Sequence, residues 1–249
     1  MIRLSVNVNK VATLRNSRGG SVPSVTEAVA VCLDAGAPGI TVHPRADERH
    51  IRRTDVFAIA EQLATRGARK NGIEFNIEGD PRPDLIDLVE RVRPDQCTLV
   101  PVRAGEITSQ AGWPPETAPA VLAPAVGRLK QAGVRVSLFI DPTPAAVRWA
   151  ASAGADRVEL YTEPFARAYE AGGEVRRRNF DAYVAAARLA HEAGLGVNAG
   201  HDLDLENLTL FRRLPHLDEV SIGHALISRA LWVGLDRVVR EYLAAVAGV

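Results

Sequence analysis

Eight short β-rich runs, six of them closing on a polar residue or a glycine and each followed by a helical pattern, constrain this chain more than any other feature. They are LSVNVN (4–9), GITVHP (39–44), EFNIEG (74–79), CTLVPV (97–102), RVSLFID (135–141), RVELYT (157–162), GVNAGH (196–201) and EVSIGH (219–224). Amphipathic stretches separate them. The first opens on Ser24 with Glu27 three residues later, the sequence form of a capping box. Several end in an Ala-Gly pair just before the next run, as a helix C-terminus does, and 225–247 reads as one last amphipathic stretch. Strand–helix alternation of this kind forces parallel pairing through crossover helices.

Eight such units in 249 residues fit the ~250 residues of a closed barrel. No Gly-rich dinucleotide fingerprint follows the first run, which disfavours a doubly wound sheet. The expectation is therefore α/β: a single (β/α)₈ TIM barrel spanning 1–249. Two segments exceed what the barrel needs, 101–119 after the fourth strand and 163–178 after the sixth. They are expected to add helical segments that serve as lids or subunit contacts. Arg176, Arg177 and Arg178 read as a solvated or interface face.

Lys+Arg and Asp+Glu are equal at 30 each. A nucleic-acid or membrane-surface binder would carry a basic excess, so neither partner is expected. Cys32 and Cys97 are far apart and outside any CxxC spacing, which suits reduced thiols in the cytoplasm. No apolar run approaches the ~18 residues of a membrane span, and no secretory leader is recognisable.

Strand-end residues of a barrel converge on one pocket however distant they are in sequence. Three of the six histidines, His43, His201 and His224, stand at such ends, and His50 lies in the loop beyond His43. One isolated histidine reads as packing; four on one rim read as a site. Glu78 ends its strand, and a carboxyl inside a barrel is costly without partners or a task, so acid–base work or ligand orientation is expected of it. Glu159 is either functional or the partner of a nearby arginine. With strict alternation Asn76 and Glu78 share a face, as do Asn7 and Asn9.

Arg15 and Arg18 follow the first strand, and Arg45, Arg49 and His50 the second. Guanidinium forks beside glycine amides suit a phosphate monoester. Gly223 and His224 open a helix whose N-terminal amides suit a second phosphate. No HxH stands at a strand end, and Arg45 two residues from His43 disfavours a cation there, so no metal is expected.

The segments NVNKVATLRNSRGG, GITVHPRADERHIR, FNIEG, EITSQAG, VSLFID, VNAGH and SIGHALI, in this order and spacing, resemble the pyridoxine 5′-phosphate synthase family over essentially the whole chain. The resemblance implies a homo-octameric barrel without metal or organic cofactor. It also implies condensation of 1-deoxy-D-xylulose 5-phosphate with 3-amino-2-oxopropyl phosphate. By position it implies His43 as base, Glu78 as the second acid/base and His201 as proton donor. Asn7 and Arg18 would hold the amino-ketone, and Gly223-His224 its phosphate; Arg45, His50 and Thr108 would hold the sugar phosphate.

The chain departs from the commoner family pattern at two places. Asn9-Lys10 stands for Asp-His, and Asp202 for a glycine after His201. Lys10 is expected to meet a phosphate or carbonyl oxygen, with imine formation the lesser reading. The alternatives are another phosphosugar lyase, aldolase or isomerase on the same barrel, and a non-catalytic sugar-phosphate binder.

Overall fold

A computed structural model describes residues 1–101 and 110–248. Eight strands, β1 (Arg3–Asn7), β2 (Gly39–Val42), β3 (Glu74–Gly79), β4 (Gln96–Leu99), β5 (Arg135–Ile140), β6 (Arg157–Tyr161), β7 (Gly196–Gly200) and β8 (Leu217–Ile222), pair in parallel in chain order. β1 closes on β8, with Leu4 opposite Val220 and Val6 opposite Ile222. The barrel read from the sequence is the one that forms.

The helices are α1 (Asn9–Asn16), α2 (Val25–Asp34), α3 (Arg53–Thr65), α4 (Pro83–Val92), α5 (Ala123–Gln131) and α6 (Pro144–Ser152). They continue with α7 (Glu163–Ala171), α8 (Gly173–Glu192), α9 (Leu208–Phe211), α10 (His224–Val233) and α11 (Leu235–Ala247). Ser24 caps α2 by accepting the Glu27 amide, as its sequence indicates.

Two departures from the sequence reading have local causes. β1 ends at Asn7 rather than Asn9, because Asn7 Oδ1 accepts the Asn9 amide at 3.0 Å and turns the chain into α1. Asn7 and Asn9 therefore do not share a strand face. The final stretch splits into α10 and α11 at Gly234, whose φ is +89°. The helical segment expected after β6 is α7, divided from α8 by Gly172; Gly172 and Gly173, the first residue of α8, are both at positive φ. After β4, Pro119–Val121 makes one 3₁₀ turn leading to α5.

Alternation along the strands sorts the side chains. Leu4, Val6, Ile40, Val42, Ile77, Leu138 and Val220 are fully buried in the core that the strands share with the helices. The inward set is polar, where a TIM barrel usually carries branched aliphatics. Ser5 and Thr41 hydroxyls meet at 2.6 Å, Thr98 donates to Asn76 Oδ1 at 3.1 Å, and Asn198 Nδ2 reaches both Gln96 and Glu219. The bonded members of such a buried polar network hold one another in place, while the buried Ser137 Oγ beside them has no partner among the described residues. Its upper end forms the floor of the site.

Candidate active site

A cavity of about 310 Å³ opens at the C-terminal ends of the strands. Asn7, Asn9, Lys10, His43, Arg45, His50, Glu78, Glu159, His201, Asp202, Gly223 and His224 all line it, so twelve of the candidate residues meet in one place. Arg15, Arg18 and Arg49 are outside the cavity lining, Arg18 being exposed, and Thr108 lies outside the described residues.

β2 and β3 supply the centre. His43 Nδ1 stands 3.9 Å from Glu78 Oε2. The His43 amide donates to Asn9 Oδ1 at 2.9 Å, and Asn7 Nδ2 reaches Glu78 Oε2 at 3.5 Å. Asn9 thus braces the base and Asn7 the carboxyl. His43 Nε2 is buried and has no hydrogen-bond partner among the described residues. Burial, helped by the charges of His50, Arg45, Arg82 and His201, holds the His43 imidazole well below its ordinary value, so the ring is neutral at pH 7. Burial pushes Glu78 the other way, well above the usual carboxylate range, with Glu159 and Glu219 adding like charge. Burial thus favours a neutral imidazole next to a protonated carboxyl.

Glu159, on β6, is raised by burial and by the charge of Glu219. A Cβ at position 200 would collide with its carboxylate, so Gly200 makes room for it. No arginine pairs with Glu159 in the hydrogen bonds among the described residues; Arg157 donates instead to Asn198 at 2.8 Å.

The basic rim is narrower than the sequence suggests. Arg45 is buried at the cavity wall, and Lys10 contributes from the first turn of α1. His50 Nδ1 accepts the Ile51 amide at 2.9 Å, which leaves the ring proton on Nε2. Burial, then the charges of Arg45 and Lys10, lowers its titration to about 4, so it acts as a neutral donor. Arg15 is not a ligand group. It is buried and forks onto Asp55 at 2.6 and 2.9 Å, while donating to the His50 carbonyl. Arg49 is exposed and bonds Asp47.

On the opposite wall His201 follows β7. Its ring lies edge-on to Tyr161, with centroids 5.4 Å apart, and 5.9 Å from Phe139. Gly223 precedes α10, and a Cβ there would come within 3.1 Å of Asn7 Cβ and its carbonyl oxygen. The bare backbone lets the start of α10 close against β1, placing the first amides of that helix at the cavity. Sequence reading missed Val100, Phe139, Leu203 and Ser221 among the lining residues. Only their places at or just past strand ends mark them.

Neutral and protonated groups paired at the mouth of a barrel, under a rim of cationic and amide donors, define the (β/α)₈-barrel enzymes that work by proton transfer on anionic substrates. Residues 4–248 match the family described as pyridoxal phosphate biosynthesis protein PdxJ. The chain belongs to that family.

Pyridoxine 5′-phosphate synthase of Bacteroides thetaiotaomicron is 51% identical over 243 residues, covering 97% of this chain and 98% of the relative. Those of Cytophaga hutchinsonii and Leptospira biflexa are each 50% identical, over 98% of this chain and 98% and 96% of theirs. Among solved structures, phosphoribosyl anthranilate isomerase from Thermus thermophilus superposes with a TM-score of 0.60 at 18% identity, over 99% of both chains. That likeness is one of fold. No helix among the described residues is long and apolar enough to cross a membrane.

Proposed function

We propose that this chain is a pyridoxine 5′-phosphate synthase, joining 1-deoxy-D-xylulose 5-phosphate to 3-amino-2-oxopropyl phosphate and releasing phosphate and water. The observation that carries this reading is the His43–Glu78 pair beneath a basic rim, in a chain half identical to synthases over nearly its full length. The atoms of the two substrates balance those of the products with no oxidant or reductant. Imine formation, dehydration and ring closure are proton transfers, which imidazole and carboxyl groups perform without a metal or organic cofactor.

Neutral His43 serves as the base, removing a proton next to the substrate carbonyl. Glu78 enters protonated, gives its proton to a departing hydroxyl, and as carboxylate takes one back. His201, across the cavity, donates to a leaving group. Arg45, the Nε2–H of His50 and Lys10 hold the sugar phosphate, together with Thr108. The amides of Gly223 and His224 at the start of α10 hold the phosphate of the amino-ketone, while Asn7 and Arg18 hold its other end. For Arg18 to do so its loop must close over the bound substrate. Glu159, in the cavity lining, contacts the substrates.

A homo-octamer is proposed for this chain. Leu231 and Trp232, exposed on α10, offer apolar surface for such contacts. Cys32 and Cys97, buried and unpaired, suit a reducing cytoplasm. The test is stoichiometry: one inorganic phosphate released for each pyridoxine 5′-phosphate formed. Conversion of either substrate alone into another product would contradict the assignment.

A further inference from the structure

We propose that Asp202 is a positioning residue for His201, holding the imidazole through Nδ1 so that Nε2 exchanges protons with the substrate. The proposal rests on the reading of His201 as the proton donor. His201 Nδ1 and Asp202 Oδ2 are 3.5 Å apart, and both residues line the cavity.

The backbone that creates this contact is unusual. His201 and Asp202 follow one another at φ +86° and +52°. Two consecutive side-chain-bearing residues in the left-handed region are unfavourable, although aspartate tolerates it better than most. The surrounding structure fixes the turn. Thr162 Oγ1 bonds the carbonyls of Gly200 and His201, and Asn207 Nδ2 donates to the Asp202 carbonyl at 3.0 Å. The imidazole is also walled by Tyr161 and Phe139. A glycine at position 202 would take this conformation without cost, so a carboxylate held there against strain marks a function for the side chain.

A carboxylate on Nδ1 does two things for a histidine acid: it selects the tautomer and favours the charged ring. Other charged groups act on the pair as well. His43 faces it from the end of β2, Arg167 from α7 and His224 from α10, while Glu163 and Asp141 bear on the adjoining Tyr161. Asp202 is held below the ordinary carboxylate range chiefly by its hydrogen bond with His201, then by the charges of His201, His224 and Arg167.

The experiment compares Asp202→Asn, which keeps an oxygen acceptor without charge, with Asp202→Gly, which removes both and relaxes the turn. Profiles of kcat and KM are taken against pH with both substrates. In both variants the basic limb of kcat, where the acid loses its proton, should move toward acid by ~0.5–1 unit. Asp202→Gly should lose ~10-fold or more in kcat, Asp202→Asn less, and KM should hold within ~3-fold. An unmoved basic limb overturns the proposal. So does a rise in KM at constant kcat, which would make Asp202 a substrate ligand. Failure of the unmodified protein to make product would instead strike the proposed reaction itself.

Discussion

His43 Nδ1 stands 3.9 Å from Glu78 Oε2, and about nine-tenths of each side chain is withdrawn from solvent. Burial drives the two titrations in opposite directions, lowering the histidine and raising the glutamate. Burial thus favours the free base on one partner and the protonated acid on the other, the pairing that proton-transfer chemistry needs at its start.

His43→Ala and Glu78→Gln should each lower kcat by roughly 10² or more with the fold intact. Because the folded His43 titrates below its ordinary value of 6.5, the acid limb of kcat/KM should lie below that pH. Steady-state kinetics and circular dichroism check both points. Full activity in Glu78→Gln, or an acid limb at or above 6.5, would contradict the assignment.

Arg45→Ala should raise KM for the sugar phosphate by ~10-fold or more, while kcat changes by only a few-fold, because phosphate binding is shared by ground and transition states. KM for the amino-ketone should move little. Titrating each substrate at saturating levels of the other separates these effects.

Arg15→Met should destabilise the protein by about 3 kcal/mol, since it strands Asp55 in a site where the arginine side chain is 6% exposed and the aspartate 13%. Denaturant unfolding measures it. An effect below ~1 kcal/mol would mean that water replaces the guanidinium without difficulty.

The polar bore carries its own pH signature. Burial and the neighbouring Glu74 raise Glu219 from 4.5 to about 7, against the opposing pull of Arg157, Arg135 and Arg3. A group raised on folding contributes stability below its unfolded value, and that contribution is lost as pH rises through the folded one. The penalty in the wild type therefore grows between pH 4.5 and about 7. Glu219→Gln should be more stable than wild type at pH 8, by up to about 3 kcal/mol, and the advantage should shrink toward pH 5. Equal destabilisation at both pH values would show that the carboxylate is needed for packing.

The barrel and most of the site are legible in the sequence because both follow from strand periodicity. Glu78 and His43 sit at strand ends, and a closed parallel sheet brings such ends together whatever the intervening distance. The misreadings come from side chains that bond locally or compete for partners. Asn9 continues the β-like alternation, yet Asn7 captures its amide and starts a helix. Arg15 and Arg18 look alike in sequence, but only the structure shows that Asp55 takes Arg15 out of the rim. The polar bore was half visible, in Asn76 and Glu78. The partners that make it tolerable, Thr98, Gln96 and Asn198, come from other strands, and their pairing depends on register.

The most direct measurement is a product assay. Purified protein is mixed with 1-deoxy-D-xylulose 5-phosphate and 3-amino-2-oxopropyl phosphate, and pyridoxine 5′-phosphate is followed by absorbance and mass. Pyridoxine 5′-phosphate should form from the pair and from neither substrate alone. Substrates that bind and stay unchanged, or turn into another compound, would contradict the proposed reaction.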